Sequence, residues 1–100
     1  MKALVTMTNG EEKWMSLPNP IWEGTKNIGT GITREAVFVG PKTKRVVVKT
    51  YSVWQKGNSG CCEGTSFHEA DDQEIAVLAD FDSDIAEQLE KHAIIIPEAL

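Results

Sequence analysis

The sequence predicts an α+β fold: an antiparallel sheet of two β-hairpins and a fifth strand, packed by one or two C-terminal helices. Short runs of alternating or β-branched apolar residues, separated by turn residues, occupy the first two thirds of the chain. Apolar residues at helical spacing are confined to the last third. With 100 residues, 41% of them hydrophobic, the chain has the size of one domain spanning 1–100.

The first predicted hairpin has strands at 3–8 and 11–17. The dipeptide Asn9-Gly10 lies between them, and this pair favours the positive φ angles of a two-residue turn. Such a turn sets Val5 opposite Trp14, and both faces of the hairpin then carry apolar side chains. We expect one face to meet the core and the other to be covered by a loop or a second subunit.

Residues 18–33 are predicted to be a long loop. Pro18 and Pro20 end the second strand because proline cannot donate a hydrogen bond to a sheet. The segment is rich in Gly, Asn and Thr, and it contains one large aromatic residue, Trp22. We expect this loop to wrap over the core and to insert Trp22 and Ile28 into it.

The second predicted hairpin has strands at 35–39 and 45–55. We predict the register that sets Glu35 opposite Lys49, because it places opposite charges together. Both faces are again partly apolar, as expected of strands that are covered on both sides or lie at an interface. In this register one face would hold Ala36, Phe38, Val46, Val48 and Trp54.

Residues 61–68 are predicted to form the fifth strand. Helical structure is predicted to follow it in the last third of the chain. Asp71 and Glu74 have the spacing of a capping box, which predicts a helix start. Apolar residues at helical spacing between 72 and 92 fit either one bent helix or two. Residues 93–96 are apolar and stop at a proline, so they form a final strand or a plug in the core.

The charges are unevenly distributed. Residues 34–56 contain six basic residues and one acidic residue, whereas residues 57–100 contain one basic and eleven acidic residues. Two interpretations stay open: the two parts neutralise each other within one fold, or they form a surface that recruits a charged partner. The net charge of −5 argues against a protein that coats nucleic acid.

The acidic part suggests a binding surface for a protein partner. Asp72, Glu74, Glu87 and Glu90 would lie on the predicted helices, where they could dock on a basic surface. The basic hairpin offers Lys49, Tyr51 and Trp54, a combination that can contact phosphates and stack on bases. Because the acidic part repels the same ligand, we do not expect a nucleic-acid partner.

A cysteine enzyme is the alternative. Cys61 and Cys62 are the candidate nucleophiles, and His68 and His92 are the candidate bases. On an extended strand His68 is about 20 Å from Cys62, so a local pair requires a bend at Gly64. Adjacent cysteines do not indicate a disulfide framework either.

A small-molecule pocket is a further alternative, because the chain has three tryptophans, Trp14, Trp22 and Trp54, and aromatic rings beside carboxylates can hold a cation or a flat ligand. No metal or cofactor is expected. The acidic run at 80–84 begins like a calcium loop, but Ile85 and Lys91 stand where that loop needs glycine and glutamate.

No motif is specific enough to name an activity. We therefore predict a non-catalytic interaction or binding module that acts through its charged surface on a protein partner or on a second copy of itself. No apolar run is long enough for a membrane span or a signal peptide, which predicts a cytoplasmic protein.

Overall fold

The computed structural model describes residues 1–27, 31–55 and 61–98, with side chains at 1–25, 33–53 and 63–98. Six strands precede two helices in this part of the chain. They are β1 (Lys2–Thr6), β2 (Glu12–Ser16), β3 (Trp22–Asn27), β4 (Gly31–Val39), β5 (Val46–Gln55), β6 (Cys61–Glu69), α1 (Asp72–Phe81) and α2 (Ser83–Lys91).

The six strands form one mixed sheet in the order β2-β1-β6-β5-β4-β3. All neighbours are antiparallel except β1 and β6, which are parallel and pair at Thr6 and His68. The α+β class is confirmed, but the prediction of a purely antiparallel sheet is wrong. The first hairpin joins the sheet beside β6, the last strand along the chain. This placement makes β1 and β6 parallel neighbours.

The sixth strand comes from the segment predicted to be a loop. β3 pairs with β4 along its whole length, from Trp22 opposite Val37 to Asn27 opposite Ile32. The prediction of a loop over 18–33 is therefore wrong for most of its length, because a partner strand outweighs the weak β-propensity of Gly and Asn. Trp22 packs partly against the core, as predicted, and Ile28 lies outside the described residues.

The first hairpin is shifted by one residue from its predicted register. Leu4, and not Val5, lies opposite Trp14. The turn contains three residues instead of two: the backbone N–H of Met7 bonds the carbonyl of Glu11, with Gly10 at φ 89°. A glycine with positive φ after a tight turn is the usual form of a three-residue hairpin loop.

The second hairpin is also shifted by one residue. Glu35 lies opposite Thr50 rather than Lys49, and Val37 lies opposite Val48. Pairing the valines builds a continuous apolar face, and its burial outweighs an exposed ion pair of about 0–1 kcal/mol. Of the residues predicted to share one face, Ala36 and Phe38 lie on one side of the sheet and Val46 and Val48 on the other, and the side chain of Trp54 is outside the described residues.

Both faces of the sheet are covered from within the chain. The two helices cover one face, where Ile85 and Leu89 are completely buried against the valines of β4 and β5. The β1–β2 hairpin covers part of the opposite face, where Val5 packs with Phe38 and Val47. The apolar character of both faces thus has an explanation that needs no second subunit.

The helical segment consists of two helices that meet at one residue. The side chain of Asp71 caps α1 by accepting a hydrogen bond of 2.8 Å from the backbone N–H of Glu74. Asp82 ends α1 and begins α2, and its carboxylate accepts a 2.8 Å bond from the N–H of Asp84. After α2 the apolar segment 93–96 is not a strand: Ile94 is buried in the helix-covered core.

Candidate functional site

A groove of about 400 Å³ lies between the edge strand β3 and helix α1. We call it the β3–α1 groove. One wall is the sheet and the other is the outer side of α1 and its C-terminal end. Its lining residues are Trp22, Gly24, Thr25, Thr33, Glu35, Val77, Leu78, Phe81 and Asp82.

The floor of the groove depends on a glycine. The indole of Trp22 lies so close over Gly24 that a Cβ at this position would come within 3.0 Å of three ring carbons. Gly24 is the cross-strand partner of Glu35, so Glu35 neighbours the space that the indole occupies. The sheet thus places an aromatic ring beside a carboxylate, an arrangement that attracts cations.

The helical wall of the groove is apolar and exposed. Val77 and Phe81 are four residues apart on α1, and so they lie on one side of the helix. They are 61% and 66% exposed, whereas Leu78 between them is buried. An exposed aliphatic and aromatic pair beside a partly buried tryptophan is typical of a contact surface.

The surroundings of the groove are acidic. Residues 71–91 contain eight carboxylates and one lysine. Among the side chains that the structure describes, Glu87 pairs with Lys91 at 3.3 Å and Glu74 contacts the imidazole of His68. The helical side of the molecule therefore presents mainly uncompensated negative charge within the described residues.

The predicted basic and aromatic binding residues lie elsewhere. Lys49 and Tyr51 are on the sheet face opposite the helices, and the Lys49 ammonium lies 5.8 Å from the ring centre of Phe67. The Tyr51 hydroxyl donates a 2.9 Å hydrogen bond to Glu63, and this bond raises the pKa of Tyr51 above its ordinary value, with smaller contributions from burial and the Glu63 charge.

The remaining residue predicted for this surface, Trp54, pairs through its backbone with Gly31 and Cys62. Its side chain lies outside the described residues. A cavity of about 580 Å³ does lie beside Lys49 and Tyr51, and its lining mixes charges of both signs, including Glu23 and Arg34.

Two basic residues of the β4–β5 turn, Arg45 and Lys44, are engaged within the fold. Arg45 forms an ion pair of 2.5 Å with Glu69, which also accepts hydrogen bonds from the backbone and hydroxyl of Thr8. Burial raises the pKa of Glu69, but the bonds from Thr8 and Arg45 outweigh it and hold that pKa below its ordinary value. Lys44 donates to the carbonyl of His92 at 3.2 Å.

The candidate cysteine and histidine residues are spread over the fold. Cys61 and Cys62 begin β6, and His68 lies near its other end, with the strand running unbroken through Gly64. Their thiol groups lie outside the described residues. The imidazole of His68 contacts both carboxylate oxygens of Glu74, at 2.5 and 2.9 Å. His92 ends α2.

The predicted acidic residues occupy the helical side. Asp72 lies in the first turn of α1, and Glu87 and Glu90 lie along α2; all three are exposed. Sequence reasoning identified Trp22 as a binding residue but missed its neighbours in the groove. Val77 could have indicated the groove from the sequence, because it is an apolar residue outside the buried stripe formed by Ile75 and Leu78.

None of the helices that the structure describes is long and apolar enough to cross a bilayer. Within the same residues, no group of three or more His, Cys, Asp or Glu side chains is placed to hold a metal ion. In comparisons with known proteins, the chain matched no protein-family model, no curated protein and no solved structure.

Proposed function

We propose that the protein is a non-catalytic interaction module whose helical side binds a basic protein partner. The observation that supports this most directly is the charge of α1 and α2. Residues 71–91 contain eight carboxylates and one lysine, and among the described side chains Glu87 is paired with Lys91 and Glu74 with the imidazole of His68. A one-signed surface of this kind steers an oppositely charged protein toward contact.

The basic residues of the chain support the proposal by their positions. Arg45 is paired with Glu69, and Lys49 lies over Phe67, so neither compensates the helices. Lys44 reaches the end of α2 but bonds a backbone carbonyl there. These three basic residues thus contact other parts of the fold and form no ion pair with the helical carboxylates among the described side chains.

A second candidate is the binding of a small zwitterion in the cavity beside Lys49 and Tyr51. Its lining offers cationic groups and the carboxylate of Glu23 within about 580 Å³. A small ligand of this kind would bind on the sheet face opposite the helices and would not contact the helical side. Variants of the two surfaces therefore separate the two candidates.

The test uses a fluorescein-labelled peptide of alternating lysine and leucine residues, with a glutamate–leucine peptide as its control. Fluorescence anisotropy should show binding of the lysine peptide alone, with an affinity that falls as salt rises. The double variant Asp72→Lys and Glu90→Lys should weaken binding about tenfold or more. Neither carboxylate has an ion-pair partner among the described side chains, so the fold should persist.

The matched control is the double variant Glu11→Lys and Glu12→Lys. It changes the net charge by the same amount, but both residues are exposed on the first hairpin. Its affinity should stay close to that of the unchanged protein. Equal losses in the two variants would mean that net charge alone attracts the peptide, and no binding by the unchanged protein would overturn the proposal.

A further inference from the structure

We infer that the β3–α1 groove holds an extended segment of the basic partner, with an arginine side chain between Trp22 and Glu35 and an apolar side chain on Val77 and Phe81. This inference rests on the proposed function and deepens it, because it names the binding site and the conformation of the ligand. It is carried by the juxtaposition of an edge strand, an aromatic ring, a carboxylate and an exposed apolar pair.

The extended form of the segment follows from β3. This strand is the last in the order of the sheet, so its outer edge has no strand partner in the part of the chain that the structure describes. Backbone N–H and C=O groups of alternate residues point outward along such an edge and can bind a further strand. The lining of the groove includes Trp22 and Gly24 of β3 and Val77 and Phe81 of α1, so side chains of a strand added at this edge can reach the groove.

The side chains of an added strand would alternate between the two faces of the sheet, about 7 Å apart on each face. Those on the helix-covered side would enter the groove. There they would meet the indole of Trp22 at the sheet and the pair Val77 and Phe81 on the helix. The groove therefore suits a segment in which a cationic residue and an apolar residue share one face.

The arginine follows from the neighbours of the indole. Glu35 lies opposite Gly24, and the indole covers Gly24. A planar guanidinium can stack on an aromatic ring and donate to a carboxylate at the same time. Asp82 supplies a second carboxylate at the end of the groove, so the site attracts positive charge at two points.

Charge also argues against a second copy of the chain as the occupant. Two copies joined through β3 would bring two α1 helices and their carboxylates to the same seam. The chain as a whole carries a net charge of −5, and like charges facing each other across an interface oppose association. A basic segment removes this repulsion, and so charge complementarity selects it.

The probe is a labelled peptide with the repeat Arg-Ser-Val-Ser, because residues two apart on an extended strand share one face and this repeat places arginine and valine together. This arginine–valine peptide is titrated against the whole protein by fluorescence anisotropy. Its control contains citrulline in place of arginine, which keeps the shape and removes the charge. Phe81→Ser and Glu35→Gln should each weaken binding of the arginine peptide about tenfold. The citrulline peptide should bind weakly and should not distinguish Glu35→Gln from the unchanged protein.

Trp14→Ser is the matched control for Phe81→Ser. Trp14 lies on β2 and is 68% exposed, close to the 66% of Phe81, so both variants remove an exposed aromatic ring at little cost to the fold. Trp14→Ser should leave the affinity unchanged. Circular dichroism of each variant confirms that the helices and the sheet are intact before binding is measured.

Strand addition has its own test. A version of the arginine peptide with N-methyl groups along one edge cannot donate to β3 and should lose most of its affinity, whereas methylation along the other edge should not matter. Equal binding by both methylated peptides would overturn the strand arrangement. Dimers of the unliganded protein in sedimentation, abolished by Phe81→Ser, would show that a second copy occupies the groove.

Failure of this inference is distinguishable from failure of the proposed function. The charge reversal at Asp72 and Glu90 can weaken binding of the basic peptides while Phe81→Ser and Glu35→Gln do not. In that case the helical side binds basic partners, but the groove is not the binding site. If neither the lysine–leucine peptide nor the arginine–valine peptide binds, both are overturned.

Discussion

The indole of Trp22 occupies the space that a side chain at position 24 would need, and only the glycine at that position allows it. Two residues on the same face of an edge strand thus act as one unit: Gly24 provides the flat surface, and Trp22 covers it. The position of the ring, and with it one wall of the β3–α1 groove, is set by the absence of a side chain.

Gly24→Ala should therefore displace the indole and lower the free energy of unfolding by about 1–3 kcal/mol, the usual cost of overpacking. A double-mutant cycle in urea checks the cause. In a Trp22→Ala background the added methyl group meets no ring, so Gly24→Ala should cost much less there. The same cost in both backgrounds would show that the backbone, and not the indole, requires glycine.

Tyr51 should titrate above the ordinary tyrosine pKa of about 10, chiefly because its hydroxyl donates to Glu63. It is the single tyrosine of the chain, so ultraviolet absorbance during alkaline titration reports it alone. Glu63→Ala removes the acceptor and should lower the pKa toward the ordinary value. The raised pKa implies that this bond stabilises the fold below the ordinary tyrosine pKa and is lost as the pH rises through the folded-state value.

Glu69 should make stability depend on pH in the acid range. Its folded-state pKa is lowered, so its contribution is present above the ordinary glutamate pKa, about 4.3, and is lost as the pH falls through the folded-state value. Glu69→Gln should lower the free energy of unfolding by about 1–3 kcal/mol at neutral pH, and by progressively less in acid. Urea titrations across this range measure the difference.

A control for that measurement is Glu12→Gln, on the exposed edge strand β2. It should change stability little at either pH. A constant difference between Glu69→Gln and the unchanged protein from neutral pH into strong acid would contradict the assignment, because it would show that the side chain acts by packing alone.

Asp82 should matter to both helices at once. Its carboxylate caps α2, and its backbone N–H bonds the carbonyl of Leu78 at the end of α1. Asp82→Ala should lower the free energy of unfolding by about 1 kcal/mol, whereas Asp82→Asn, which keeps the capping oxygen, should cost much less. Thermal unfolding followed by circular dichroism compares the two, and equal losses would exclude the cap as the cause.

The sequence predicted the locations of the hairpins better than their registers. In both hairpins the strands lie close to the positions that the alternation of apolar and polar residues predicts. The pairing between the strands is shifted by one residue because of the conformation of the loop. Gly10 has φ 89° in a three-residue loop, and Lys44 has φ 56° in the turn between β4 and β5. Alternation indicates where strands are, but the loop conformation decides which residues face each other.

The candidate site was predicted only in part. Trp22 was identified as a binding residue because it is a large aromatic residue in a segment rich in Gly and Asn. The groove also needs Glu35 from β4 and Phe81 from α1, and these residues are far from Trp22 in the chain. Their proximity depends on β3 being a strand, which weak local propensity does not indicate.

The parallel contact between β1 and β6 has a consequence for the order of folding. Thr6 pairs with His68, so the β1–β2 hairpin meets this neighbour about sixty residues further along the chain, a separation that slows folding. The meander from β3 to β6 can assemble through sequential neighbours. The amino-terminal hairpin is therefore expected to dock last, and amide protons at this junction should exchange with solvent sooner than those at the centre of the meander.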